Sequence, residues 1–176
     1  RLLALQKEQA ARDSTNMEVM LEKVLQRERA TRGVLVRSAL YGDLRLHEDC
    51  PEEKMTGKQT IAKEDLVGPC IDVTTPLQCL VEQHKIVLPG GASASKADLP
   101  GFFNPVPLVF DVELSLYVLY EFRGSLHEVI VGDRETLSLP YRSHAVPQGR
   151  LPRGPFSPAN VAAALLRHGG AAPAAA

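Results

Sequence analysis

Apolar residues recur at helical intervals near the start of the chain, at every second position through its middle, and with no regular period near its end. From Leu2 to about Thr31 the sequence is rich in Leu, Ala, Gln, Glu, Lys and Arg, with neither Gly nor Pro. Good helix formers in a run of that length predict a helix. Met17, Met20, Leu21, Val24 and Leu25 form its apolar stripe, and Glu8 with Arg12 and Glu28 with Arg32 are expected as charge pairs on the wet face. Thr15 followed by Glu18 is a capping-box pattern, so the stretch reads as one helix or as two. Too few heptads are visible for a coiled-coil seam, and the stripe predicts a helix docked on its own sheet.

After Gly33 the period changes. Val34 to Tyr41 is a β-branched run closed by Gly42 and Asp43, which predicts a first strand. Residues 47 to 66 carry many acids and few apolar anchors and read as an exposed acidic connection. Ile71, Val73, Leu77, Cys79 and Val81 alternate with Asp72, Thr74, Gln78 and Leu80, the period of a strand with one buried face. Pro76 within that run makes it an edge or bulged strand. Residues 89 to 107 are rich in Gly and Pro and form a long loop containing Phe102 and Phe103.

The clearest strand follows, with Val112, Leu114, Leu116, Val118, Tyr120 and Phe122 on one face and Glu113, Ser115, Tyr117 and Glu121 mainly on the other. Arg123 to Ser125 reverse the chain into Leu126 to Val131, and Gly132 with Asp133 reverse it again into Leu137 to Leu139, an antiparallel meander. A helix first and hairpins afterwards predict an α+β fold, the N-terminal helix packed on a mostly antiparallel sheet of about four to five strands. The expected organisation is a helical segment over 1–32, a β-rich interaction domain over 33–146, and a Pro/Gly/Ala-rich disordered tail over 147–176.

A chain of 176 residues is long enough for one sizeable core. It carries 20 Lys and Arg against 21 acids, which argues against a nucleic-acid partner. No apolar run is long enough for a transmembrane segment, leaving peripheral membrane association compatible with the sequence. The start at Arg1 reads as a fragment of something longer. Cys50, Cys70 and Cys79 are widely spaced, without a CxxC, and suggest neither a disulfide framework nor a zinc knuckle.

Several constellations resemble chemistry and fail on inspection. His127 and Glu128 begin like HExxH, but Val131 stands at the second histidine position and the neighbours favour a strand, so an exposed polar pair on a hairpin is expected. Ser93 and Lys96 have the SxxK spacing but lie in a Gly/Ala/Ser loop with no SDN or KTG partner. Gly57 and Lys58 are similar to the end of a phosphate loop, yet Gln59 replaces the metal-binding hydroxyl and Glu52 stands where the first Gly belongs. His47, Glu48, Asp49 and Cys50 have no defined ligand spacing. The expectation is no enzyme, no cofactor and no metal. Phe102 and Phe103 are the candidate partner-binding residues, weighed against a role in plugging the open end of the sheet.

Four blocks of sequence carry a resemblance: Ala39 to Gly42; Ile71 to Thr74 with Leu77 to Val81; Leu99 to Pro105; and Leu119 to Gly124 with His127 to Val129. In order and spacing they are similar to the C-terminal domain of the DnaJ homologue subfamily C member 11 family, over about residues 17 to 140. The resemblance implies a chaperone-related J-protein associated with mitochondrial membranes and with the assemblies that shape cristae and join the two membranes. It implies protein partners, a cristae-organising or membrane-contact complex, and an Hsp70 engaged through a J domain. The family's J domain bears a His-Pro-Asp tripeptide, and none occurs here. A second expectation is that the sheet and its Pro76 edge hold unfolded client segments by strand addition.

Overall fold

The computed structural model describes residues 2–107 and 109–155. The Gly- and Pro-free stretch is one helix, α1, Leu2–Thr31. Thr15 does not start a second helix, since its hydroxyl donates back to the Ala11 carbonyl at 3.0 Å. At the C-terminus Gly33 N donates to Glu28 O at 2.9 Å while Arg32 takes φ 53. This is the Schellman closure, with Arg in the left-handed position that glycine usually takes.

Glu28 lies one turn beyond Val24 on the buried face of α1 and Arg32 lies outside the helix, so the expected surface pair between them is absent. Glu28 is fully buried: Oε2 accepts Val34 N at 3.2 Å and lies 2.8 Å from His84 Nδ1. Gly33 has no room for a side chain here, because an added Cβ would lie 1.7 Å from Glu28 Oε2.

Strand β1, Val34–Gly42, runs antiparallel to β2, Cys70–Asp72, and to β4, Ser115–Phe122; β5, Ser125–Gly132, completes a sheet ordered β2-β1-β4-β5. Arg123 at φ 51 and Gly124 at φ 77 make the tight β4–β5 turn, with both central residues left-handed as a type I′ hairpin requires. Within β1 the pairing to β4 slips by one residue between Val36 and Ser38. Arg37 is the extra residue of this bulge and pairs with Glu121. The slip keeps Val34, Val36, Ala39 and Tyr41 in one core.

Both faces of the sheet are covered. On the first, Leu116, Val118 and Tyr120 pack with Val24 of α1, with Leu77 of α3 (Thr74–Cys79), and with a ribbon of β3 (Ile86–Leu88) and β6 (Leu137–Leu139). On the second, Leu40 and Tyr117 pack with Leu44, Cys50, Met55 and Ile61.

Four expectations are corrected. The strand expected through residues 71 to 81 ends at Asp72 and continues as α3, whose first turn accepts Pro76 because no intrahelical donor is needed there. Leu137–Leu139 does not extend a meander but pairs with β3: the β4–β5 ladder runs on to the bond from Asp133 N to Leu114 O, and the turn closed by Glu135 N on Gly132 O then takes the chain off the sheet. Residues 47 to 66 are not merely an exposed connection, since α2 (Glu52–Met55) and its neighbours bring scattered apolar residues into the second core. The segment 147–155, expected within a disordered tail, packs on the domain: Ile61 N donates to Arg153 O at 2.9 Å and Arg153 N to Glu128 Oε1 at 2.8 Å. The rest of that expected tail, residues 156–176, lies outside the described residues.

Candidate interaction surface

The long loop after β3 is tied down by buried polar groups. Ser95 Oγ accepts Ala97 N and starts a single 3-10 turn at Lys96–Asp98. Asp133, in the turn after β5, then collects three donors: Tyr41 OH at 2.5 Å, Ser95 Oγ at 2.8 Å and Lys96 N at 2.9 Å. The Lys96 ammonium donates to the carbonyls of Gly132, Asp133 and Glu135 at 3.0, 2.9 and 2.6 Å, which uses all three of its protons. Burial draws its pKa down, opposed by the nearby Asp133 and Glu135 charges, while burial and the Asp133 carboxylate push the Tyr41 phenol far up. The arrangement is a clamp. The Ser93 and Lys96 spacing gains no catalytic meaning, because the ammonium is committed to carbonyls.

Downstream of the clamp, Phe102 is 4% exposed and meets the Tyr41 ring edge-on at 5.6 Å. Gly101, at φ +80, packs so closely that an added Cβ would lie 2.6 Å from Pro76 Cγ. Phe103 is half-buried, and Val109 and Phe110 further along are 85% and 62% exposed. The structure thus separates the two candidate residues, one in the core and one half-buried, and adds an exposed apolar pair that sequence reasoning missed. Only their place beyond the anchored loop distinguishes Val109 and Phe110, and spacing alone does not reveal that.

Gln78 closes the edge where strand addition was expected. Its amide donates to Val34 O at 3.1 Å and accepts Val36 N at 2.7 Å, while Thr74 Oγ1 accepts Ala39 N at 3.0 Å. Side chains of α3 stand in for a neighbouring strand along β1.

His127 and Glu128 are not an exposed pair. His127 is buried and stacks on Tyr120 at 5.0 Å, and Tyr120 OH lies 2.7 Å from His144 Nδ1 and accepts Tyr141 N. Burial pushes the Tyr120 phenol up to about 12, and burial followed by the neighbouring His127 lowers the pKa of His144. Glu128 accepts Tyr117 OH at 3.0 Å together with two main-chain N–H groups from residues 153 and 154. Among the described residues no three His, Cys, Asp or Glu converge as a metal site, and no helix is long and apolar enough to cross a membrane.

The pattern of the family described as "DnaJ-like protein C11, C-terminal" matches residues 1–140. The chain belongs to that family. It is similar to the "DnaJ homolog subfamily C member 11" of Mus musculus, 37% identical over 143 residues, which covers 81% of this chain and 22% of that protein. The Bos taurus protein of the same name is 36% identical over an equal length, and the Dictyostelium discoideum homolog is 34% identical over 140 residues. No solved structure matches. The chain therefore spans about a fifth of the length of these DnaJ-like relatives. The long loop, its Lys96 clamp and the Glu128 carboxylate all lie within the matched residues.

Proposed function

We propose that this domain is a non-catalytic protein-interaction module of a DnaJ-like protein, serving in mitochondrial inner-membrane and cristae organisation. The observation that carries the interaction role is the clamped loop that leads to exposed Val109 and Phe110. A rigid base holding an aromatic and a β-branched side chain in water is how buried anchors of protein interfaces are presented before the partner arrives. Half-buried Phe103 belongs to the same segment, whereas Phe102 contributes its area to the core. The cristae assignment rests on the family resemblance, as does the mitochondrial location.

The client-holding alternative, within an Hsp70 co-chaperone, has less support from the fold, because Gln78 and Thr74 already occupy the β1 edge. The test is affinity capture of the full-length protein from mitochondria in gentle detergent, comparing the wild type with a Val109→Ser, Phe110→Ser variant of unchanged melting temperature. Recovery of cristae-organising and outer-membrane sorting components by the wild type, and their loss in the variant, is the expected result. Recovery of Hsp70 and varied clients alone, equally with both, would transfer the domain to client binding.

A further inference from the structure

The segment from Ala145 to Pro155 lies along β5 and crosses the second face. Val146 N donates to Leu126 O, which starts the contact at the β5 edge. Its far end is held through the main chain. Thr60 Oγ1 donates to Pro152 O and Ile61 N to Arg153 O, both at 2.9 Å. The two oxygens of Glu128 divide the consecutive N–H groups of Arg153 and Gly154, at 2.8 and 3.2 Å. The Arg153 guanidinium donates to Met55 O at 2.8 Å. Gly154 is buried at φ +95, and a Cβ placed on it would fall 2.2 Å from Ile61 O.

Each bond selects a property of the guest. A carboxylate that takes two successive N–H groups recognises the concave backbone formed where a left-handed residue follows, and such charge-assisted bonds are about twice as strong as neutral ones. The close approach to Ile61 admits glycine alone at the second position. The Met55 carbonyl, at the end of a helix that carries Glu52 and Glu53, suits a cation at the first. Pro152 and Pro155 keep the flanks extended.

All the walls of this groove, namely Met55, Thr60, Ile61, Tyr117 and Glu128, lie inside the residues matched by the family, and the occupant lies outside them. We propose that the groove is a docking site for an extended, proline-flanked Arg-Gly segment of a partner protein, and that residues 152–155 fill it in cis. The cis segment competes at the effective concentration set by its short tether, on the order of millimolar, so a free peptide enters only when the tethered copy is unseated. This site is separate from the loop at Phe103 and Phe110, and neither reading depends on the other.

The experiment uses the full chain and a fluorescein-labelled peptide with the sequence of residues 148–156, read by fluorescence anisotropy. Gly154→Ala prevents the tethered copy from seating and should raise peptide affinity about tenfold or more over the wild type. Adding Glu128→Gln should reverse that gain, and a peptide carrying the same Gly-to-Ala change should not bind. Arg153→Pro, which removes the main-chain N–H that Glu128 accepts along with the guanidinium contact, is the second route to an unseated segment if Gly154→Ala lowers the melting temperature by more than a few degrees. Equal binding to wild type and folded variant, or binding to neither, overturns the proposal.

Discussion

The two faces of the central sheet are covered by different means. On the first, continuous elements supply the cover: Val24 comes from a helix, Leu77 from another, and Ile86, Leu88, Leu137 and Leu139 from a two-stranded ribbon. On the second, Leu44, Cys50, Met55 and Ile61 arrive from short turns that have no common period. Polar bonds hold those turns in place, with Lys54 Nζ 2.7 Å from Asp65 Oδ2 and Ala62 N donating to the same oxygen. Burial alone would raise the Asp65 pKa, but the bonds from Lys54 and Ala62 N outweigh it and hold the carboxyl below its usual value. Periodic cover depends on area, whereas irregular cover depends on a few specific bonds. The two faces should therefore fail in different ways.

The largest effect is expected at the centre of the first face. Leu116→Ala, at a fully buried site, should cost about 3 to 4 kcal/mol in urea unfolding and destabilise the whole domain together. A loss below about 1 kcal/mol would mean that the sheet repacks freely there. Next comes Lys96→Met, which removes the ammonium from three carbonyls and should cost about 3 kcal/mol, with faster amide exchange across residues 91 to 102. Unchanged exchange in that loop would show that its shape does not depend on the clamp.

Asp65→Ala should cost less, about 1 to 2 kcal/mol, and its increase in amide exchange should be confined to residues 44 to 66, leaving Val118 and Tyr120 protected. Spread of the effect to both faces would collapse the distinction between them. The smallest effect concerns pH. His144 has a lowered pKa in the folded chain, so the unfolded chain binds the proton first and stability falls as pH drops below the unfolded value, until the folded site is also protonated. A His144→Gln variant should show a shallower decline in melting temperature between pH 7.5 and 5.5, and an identical slope would remove His144 from the account.

The same division explains what is legible in the sequence. Alternation at Leu114, Leu116, Val118 and Tyr120 identifies β4 and its inward face, and the Gly-free opening identifies α1. The segment at 71 to 81 carries competing signals: Val73, Leu77 and Val81 are spaced by four and are all buried, as on a helix, while the same stretch also alternates. Two periods fit, and Pro76 suits a strand edge and a first helical turn equally. The Lys96 clamp and the Glu128 contacts leave no pattern, because their partners are mostly main-chain atoms far along the chain. Phe102 and Phe103 look alike in sequence, and only the position of Tyr41 decides which ring is covered.

The extra residue at Arg37 bears on how relatives of this chain diverge. Val34 and Val36 reach the first core from one side of the bulge, and Ala39 and Tyr41 reach it from the other. Losing Arg37 or Ser38 would leave Val36 and Ala39 two residues apart and restore regular pairing with both pairs inward, whereas losing Leu35 or Leu40 would turn a core residue outward. Gains and losses of single residues outside the bulge should therefore come as coordinated events, and an alignment that places a lone gap elsewhere within Val34–Gly42 is misaligned there rather than evidence of a different fold.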